Sequence, residues 1–324
     1  MLMSKRDSAK DGHEGVAHTY GRKVILSRKG FDSSAGGKAS PVFFEDTRDL
    51  AGTLLSLPIP DGDARDSYAD LEYDGMGYDQ VVSSLKAKNK TAKCHVDPDI
   101  REGTRREQPR DWKPAFGQTG KAQKQLCNAG VMKGDLFLFF GWFRGVMRTK
   151  DGALRYMSKG RDFRRSENSD DWYRFSDLQV IWGYMEVGDI LTNPEEIRQY
   201  YWHPHAQPGK LDGDNNTLYI PTQRLSFAPG LPGYGTLDFA RGRVLTKEGM
   251  TRSGWIPYPF LMPEHVSGNR KNGFRPKTGQ SAGDVLIYGG QWQELVCYES
   301  DGLLDWAKSL ICGQWGVLHR SRST

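Results

Sequence analysis

Three stretches carry side chains whose types and spacing could do chemistry. The first is Ser27-Arg28-Lys29-Gly30-Phe31-Asp32-Ser33-Ser34-Ala35-Gly36-Gly37, a polar loop behind the apolar run Val24-Ile25-Leu26. A strand would carry Arg28, Lys29 and Asp32 to one edge of a sheet. Gly30, Gly36 and Gly37 would let the backbone approach a phosphate or base, with Ser33 and Ser34 as small donors. A carboxylate beside two cations stays ionised at neutral pH and could orient water or stabilise a positive sugar. The same residues suit an Asx-type turn. The second stretch is His95-Val96-Asp97-Pro98-Asp99. In extended chain residues i, i+2 and i+4 share a face, so one imidazole and two carboxylates would point together. That set suits acid/base work or a hard divalent cation, while Asp97 before Pro98 could equally cap a helical turn. The third is Trp202-His203-Pro204-His205, two imidazoles that resemble half of a metal site. No carboxylate or cysteine nearby in sequence completes it, so polar packing or phosphate contact is the expectation. Gln118, Lys121 and Gln125 have helical spacing and could read a nucleic acid edge or form an exposed helix face.

Strands must position these groups. Candidates are Val24–Leu26, Pro41–Phe44, Thr53–Pro58, Leu136–Phe143, Leu178–Val187, Thr217–Ile220, Gln223–Phe227, Val285–Tyr288 and Trp292–Cys297. Leu136–Phe143 is the most strongly β of them, and Leu178–Val187 is its natural sheet neighbour. Helices are expected over Tyr78–Lys88, Lys121–Asn128 and Leu303–Ile311, and Asn193-Pro194-Glu195-Glu196 starts a short one. Residues 1–22 read as a disordered tail and 23–324 as a single domain. Strands and helices do not alternate, and neither Gly-x-Gly-x-x-Gly nor a P-loop occurs. The class is therefore α+β, with a bent, mostly antiparallel mixed sheet, short helices and long loops. A nucleotide-cofactor enzyme is disfavoured.

The 324 residues are 37% hydrophobic and 26% charged, which suits a globular chain. No apolar run approaches the roughly 18 residues of a membrane span, and a cytoplasmic location is expected. Cys94, Cys127, Cys297 and Cys312 form no Cys-x-x-Cys pair, so reduced, mostly buried thiols are expected. Glycine is frequent, at 38 residues. The formal charge of +5 is uneven: Lys86 to Arg165 holds 20 basic and 8 acidic residues, a local +12. Trp112, Phe116, Trp142, Phe143, Phe163 and Trp172 lie within or beside that block. Cations interleaved with aromatics suit a phosphate backbone with stacking platforms, although a solvated basic loop has the same composition.

The Ser27–Gly37 loop, Ser56-Leu57-Pro58-Ile59-Pro60, the His95–Asp99 stretch, Gly134-Asp135-Leu136-Phe137-Leu138-Phe139-Phe140-Gly141-Trp142-Phe143-Arg144 and Ile181-Trp182-Gly183 together resemble the third class of nucleotide-modification-associated domains. The resemblance covers nearly all of the chain from Lys23 to the C-terminal strands. It implies action on modified bases in phage DNA. Within that neighbourhood the chain is similar to phage-defence DNA glycosylases that remove glucosylated hydroxymethylcytosine and leave an abasic site. The paired strands around Leu136 and Ile181 are also similar to the small barrels of PUA-like readers, which accept flipped bases.

Residues and resemblance meet in base excision. The glycosidic bond is inaccessible in the stack, so the nucleotide must be flipped, and its cleavage develops oxocarbenium character. Asp32 is the first choice for the carboxylate that stabilises that charge or activates water, with Asp97 or Asp99 next. Lys29 admits a Schiff-base variant. Arg28, Ser33, Ser34, His95, Gln118, Lys121, Trp142, Arg144, Arg148, His203, His205 and Gln223 are the expected DNA and substrate contacts. The scheme needs no metal or organic cofactor and no obligate protein partner; its partner is double-stranded phage DNA carrying a modified cytosine. Two other classes fit: a metal-dependent nuclease using His95, Asp97, Asp99 and His203, and a non-enzymatic reader that holds the flipped base.

Overall fold

Leu136-Phe137-Leu138-Phe139-Phe140 contains no polar position, and in the computed structural model its strand is buried on both faces. Residues 21–45, 50–87, 91–159, 171–267, 275–276, 285–288 and 293–313 are described. Most of the expected N-terminal tail, together with Arg161, Phe163, Arg164, Arg165 and Trp292, lies outside them.

Eleven strands form the main sheet: β1 (Val24–Arg28), β2 (Ser40–Phe44), β3 (Gly52–Leu54), β4 (Phe116–Gln118), β5 (Leu136–Arg148), β6 (Leu154–Tyr156), β7 (Leu178–Leu191), β8 (Thr217–Pro221), β9 (Tyr234–Thr236), β10 (Val266–Ser267) and β11 (Glu294–Cys297). Its main path runs β10-β11-β1-β5-β7-β8-β4. Strands β1 and β2 pair parallel with β5, and the remaining pairings are antiparallel. Register shifts in β7, between Ile181 and Gly183 and between Val187 and Asp189, bend the sheet as bulges do. The α+β class with a bent, mostly antiparallel sheet is thus observed, as a curled half-barrel.

Side chains alternate across this sheet, and both faces are covered. Val24, Leu26, Leu136, Leu138 and Phe140 pack with Trp255 and the C-terminal helix, while Ile25, Phe137, Phe139 and Val296 pack with Phe116, Tyr219 and Met185. Burial on both faces is the reason these strands read as unbroken apolar runs. Helices relevant to the site are α1 (Tyr78–Ser84), α2 (Gly120–Asn128), α3 (Pro194–Arg198) and α4 (Leu303–Cys312). Helix α1 is shorter than the apolar spacing implies because Lys86 takes a φ of +53° just beyond it. At α3, Asn193 caps as expected, its side chain accepting from the Glu195 N–H at 3.0 Å.

The strand expected over Gln223–Phe227 shrinks to Arg224–Leu225, turned back against Ala228–Pro232. That expected over Thr53–Pro58 keeps only Gly52–Leu54. All four cysteines are free, Cys94 and Cys297 buried, Cys127 and Cys312 exposed. Among the described residues no helix is long and apolar enough to cross a membrane.

The curl brings β4, at one end of the main path, beside β11, near the other. Side chains bridge this seam: Gln118 Nε2 donates to Glu294 Oε1 at 2.6 Å, and Gln125 Nε2 to the Glu294 carbonyl at 2.7 Å.

Candidate active site

The chemistry-bearing residues gather at this seam around Asp97. Asp97 Oδ1 accepts the Gly117 N–H of β4 at 2.7 Å and lies 3.3 Å from His203 Nε2; Oδ2 lies 3.9 Å from His95 Nε2. His95 sits in the short strand Cys94–His95 paired with Ile59–Pro60. Its Nδ1 meets Asp61 Oδ2 at 3.0 Å. His203 precedes the 3-10 turn Pro204–Ala206, and its Nδ1 accepts the His205 N–H at 3.2 Å. His205 lies edge-on to His95, ring centroids 5.4 Å apart, with Nδ1 2.7 Å from Asn216 Oδ1. Gly117 makes the fit possible, because a Cβ there would overlap the His205 ring.

Lys29 leaves the end of β1 and enters the same group. Its Nζ lies 3.4 Å from Glu294 Oε1 and 4.3 Å from the centre of the Phe116 ring. Glu294 stands opposite Ser27 in the β1–β11 pairing, and Ser27 Oγ donates to its Oε1 at 3.0 Å. Glu294 Oε2 is buried with no hydrogen-bond partner among the described residues. The group is nearly closed, with His203 fully buried and the Asp97 side chain 4% exposed. It approaches solvent on the side of Asp61 and Lys210, whose side chains are 16% and 33% exposed.

The electrostatics follow from this packing. Burial works to raise the Asp97 pKa, but the His203 hydrogen bond and the charge of Lys29 outweigh it, and the carboxyl is held well below its usual range. The His95 bond does the same for Asp61. Burial pushes His205 down to about 3 and lowers His95 despite its two carboxylate neighbours, so both rings are neutral at pH 7. At neutral pH the site therefore holds the ionised Asp97 carboxylate against the neutral rings of His95 and His205.

Of the expected site residues, Lys29, His95, Asp97, Gln118, His203 and His205 come together here. Asp99 does not. The Asp97 N–H bonds the His95 carbonyl at 3.0 Å, a three-residue turn that breaks the alternation of an extended chain. Asp99 then pairs with Ala115 through two backbone hydrogen bonds, and its buried Oδ2 accepts from Arg105 Nη1 at 2.8 Å and Trp112 Nε1 at 3.0 Å. Gln118 holds Glu294 instead of facing outward, and it belongs to β4, not to the helix that carries Lys121 and Gln125.

Asp32 keeps to its own loop. Its Oδ1 accepts from Ser34 Oγ at 2.6 Å and from the Ser34 and Ala35 N–H groups at 2.7 Å, the Asx-type arrangement, and Arg28 lies 3.4 Å from Oδ2. Burial works to raise its pKa, and these bonds with Arg28 bring it below the usual range. Around that loop a second group forms: Arg252 donates to Ser33 Oγ at 2.7 Å and stacks 3.8 Å over the Trp142 ring, while Trp142 Nε1 and Arg144 both reach Asp177. Arg148, Lys121 and Gln223 are exposed.

Sequence reasoning missed Asp61, Gly117, Asn216 and Glu294. Asp61 reads as turn chemistry in Pro60-Asp61-Gly62, and Asn216 as the second residue of an Asn-Asn turn. Glu294 left one signal, a carboxylate at the head of the apolar strand Glu-Leu-Val-Cys.

No curated protein and no solved structure matches the chain. A family model does, over residues 23–297, nearly the whole described fold and every residue of the Asp97 group. On that match the chain belongs to the nucleotide modification associated domain 3 family, and with it to the proteins linked to nucleotide modification.

Proposed function

We propose that the chain is a DNA glycosylase that flips a modified cytosine, glucosylated hydroxymethylcytosine, out of phage DNA and hydrolyses its N-glycosidic bond in antiviral defence. The observation that carries this reading is the buried, ionised Asp97 carboxylate beside Lys29. As the base departs, positive charge develops on the deoxyribose, and a carboxylate fixed in a water-poor site stabilises it without reorganising. Water adds at C1′, its proton passes to a basic group of the site, and the base leaves with the bonding electron pair. Lys29 also offers an amine within the site for attack on C1′ in a lyase variant. The unpartnered Glu294 Oε2 suits the exocyclic amino group of a cytosine, a donor that carboxylates accept. Outside the site, the Arg252–Trp142 stack beside Ser33 and Arg28 suits a nucleotide and its phosphates at the rim.

The test incubates the chain with glucosylated, hydroxymethylated and plain duplex DNA and follows released bases by mass spectrometry and abasic sites by alkali cleavage. Free modified base is expected from the glucosylated duplex, and Asp97→Asn should slow its release about 10²–10³-fold. Intact DNA with no released base after prolonged incubation, or an unimpaired Asp97→Asn, would sink the assignment. Tight modification-dependent binding without product would instead support a reader.

A further inference from the structure

We infer that His95, Asp97 and His205 form a binding site for one divalent first-row transition-metal ion of the zinc type. One ligand atom from each lies within 4.8 Å of the other two. The three residues come from two segments more than a hundred positions apart, and their facing atoms are not spent on another cation at close range among the described residues.

The hydrogen bonds behind the rings make the independent argument, because they decide which nitrogen keeps its lone pair. Asn216 Nδ2 donates to the His205 carbonyl at 2.9 Å, which fixes the amide orientation and turns Oδ1 toward His205 Nδ1 at 2.7 Å. An oxygen there demands a proton on Nδ1, so His205 Nε2 carries a bare lone pair. Asp61 Oδ2 imposes the same state on His95, whose Nε2 faces Asp97 Oδ2. Two lone pairs and a carboxylate oxygen thus converge with no proton among them, an arrangement that repels itself until a cation enters. His203 is wired oppositely: its Nδ1 accepts the His205 N–H, leaving its proton on Nε2 toward Asp97 Oδ1. The Gly117 N–H therefore holds Oδ1, with His203 Nε2 3.3 Å from the same oxygen, and Oδ2 is left for the ion.

This is the outer-shell pattern of ligating histidines, each donating its far N–H to an oxygen that fixes ring and tautomer. Ligand atoms about 2.0–2.1 Å from a tetrahedral zinc lie about 3.3–3.4 Å apart, so pairs now 3.9 Å apart, as His95 Nε2 and Asp97 Oδ2 are, up to the 4.8 Å limit would close by about 0.5–1.5 Å on binding. Two imidazoles and one carboxylate leave a fourth position open, as in sites where the metal holds a water. Asp61, Asp97 and Glu294 against Lys29 and Lys210 give the surroundings a net charge of −1, which tolerates a dication. Ion binding is a property of this donor set and does not rest on base excision as the reaction.

The test uses the full chain, stripped with chelator and dialysed. Titration with Zn²⁺ by calorimetry should give one site per chain, and Co²⁺ should produce the visible absorption of a four-coordinate ion. His95→Ala and His205→Ala should each abolish both signals. Asp61→Asn keeps every ligand and should weaken binding about 10–100-fold, which preserves the test if a histidine variant fails to fold. No Zn²⁺ uptake by the wild-type chain, or uptake that survives His95→Ala, His205→Ala and Asp61→Asn, would overturn the site. Base release is measured in parallel on stripped chain: release without ion binding removes the metal site alone, and ion binding without release removes the glycosylase alone.

Discussion

Asp97 is held among Gly117, His203 and His95, and the tightest restraint among them is a missing side chain. Gly117 donates its N–H to Asp97 while leaving room for the His205 ring, where a methyl group would overlap. Gly117→Ala should therefore leave the strand intact and push His205 aside. A displacement near 1 Å in such a site costs about 10²-fold in rate. On the glycosylase proposal, single-turnover base release should fall by that order, with overpacking against the buried ring costing about 1–3 kcal/mol of stability; an unchanged rate would show that the His205 position does not matter. At this scale the sequence revealed residue types well. His95, Asp97, His203, His205 and Lys29 are rare polar residues beside apolar strands, and their chemistry is visible without coordinates. Asp32 shows the limit, since a loop carboxylate with two serines after it satisfies its own backbone as readily as it serves a substrate.

At the scale of elements, the segment from His95 to Ala115 turns a run of charges into a support. Arg105 sits between Asp66 and Asp99, at 2.8 Å from each, with all three side chains under 10% exposed. It ties the strand pair at Ile59–His95 to the chain leading into β4, so it braces the Asp97 turn from behind. Burial already raises the Asp99 pKa despite Arg105, so Arg105→Ala would leave a buried carboxyl that must either stay charged without its partner or take up a proton, a change that costs about 3–5 kcal/mol. The midpoint of urea unfolding should drop accordingly, and a loss below about 1 kcal/mol would mean that Asp99 finds another partner. The sequence could not show this, because a cation three to ten residues from several acids reads the same whether it is buried or exposed. Strands were more legible. An unbroken apolar run such as Leu136–Phe140 can only be buried on both faces, and β5 and β7 pair as expected, with Leu138 opposite Tyr184.

At the scale of the molecule, the basic quarter divides into two populations. Arg105, Arg106, Arg144 and Lys133 form ion pairs with Asp99, Glu72, Asp177 and Asp189. Arg110, Lys113, Lys121, Lys124, Arg148 and Lys150 are exposed. The second group can exchange counterions with a phosphate backbone without first breaking one of these ion pairs, whereas the exposed Arg106 and Lys133 must give theirs up. Binding to duplex DNA, followed by fluorescence anisotropy over a salt series, should weaken steeply with salt. Arg148→Ala with Lys150→Ala should then reduce the log–log slope by about 0.9 for each phosphate that is no longer neutralised. An unchanged slope would place the DNA on another face.

The sequence by itself determined the long central strands, the family and most of the reactive side chains, because each follows from local composition and spacing. Only the tertiary structure decided which of those side chains meet. Lys29, His95, Asp97, His203 and Glu294 lie up to 265 positions apart along the chain, and no local pattern records their distances. They meet because bulges in β7 curl the sheet until β4 reaches β11, and buried polar groups at that seam must find one another or remain unsatisfied.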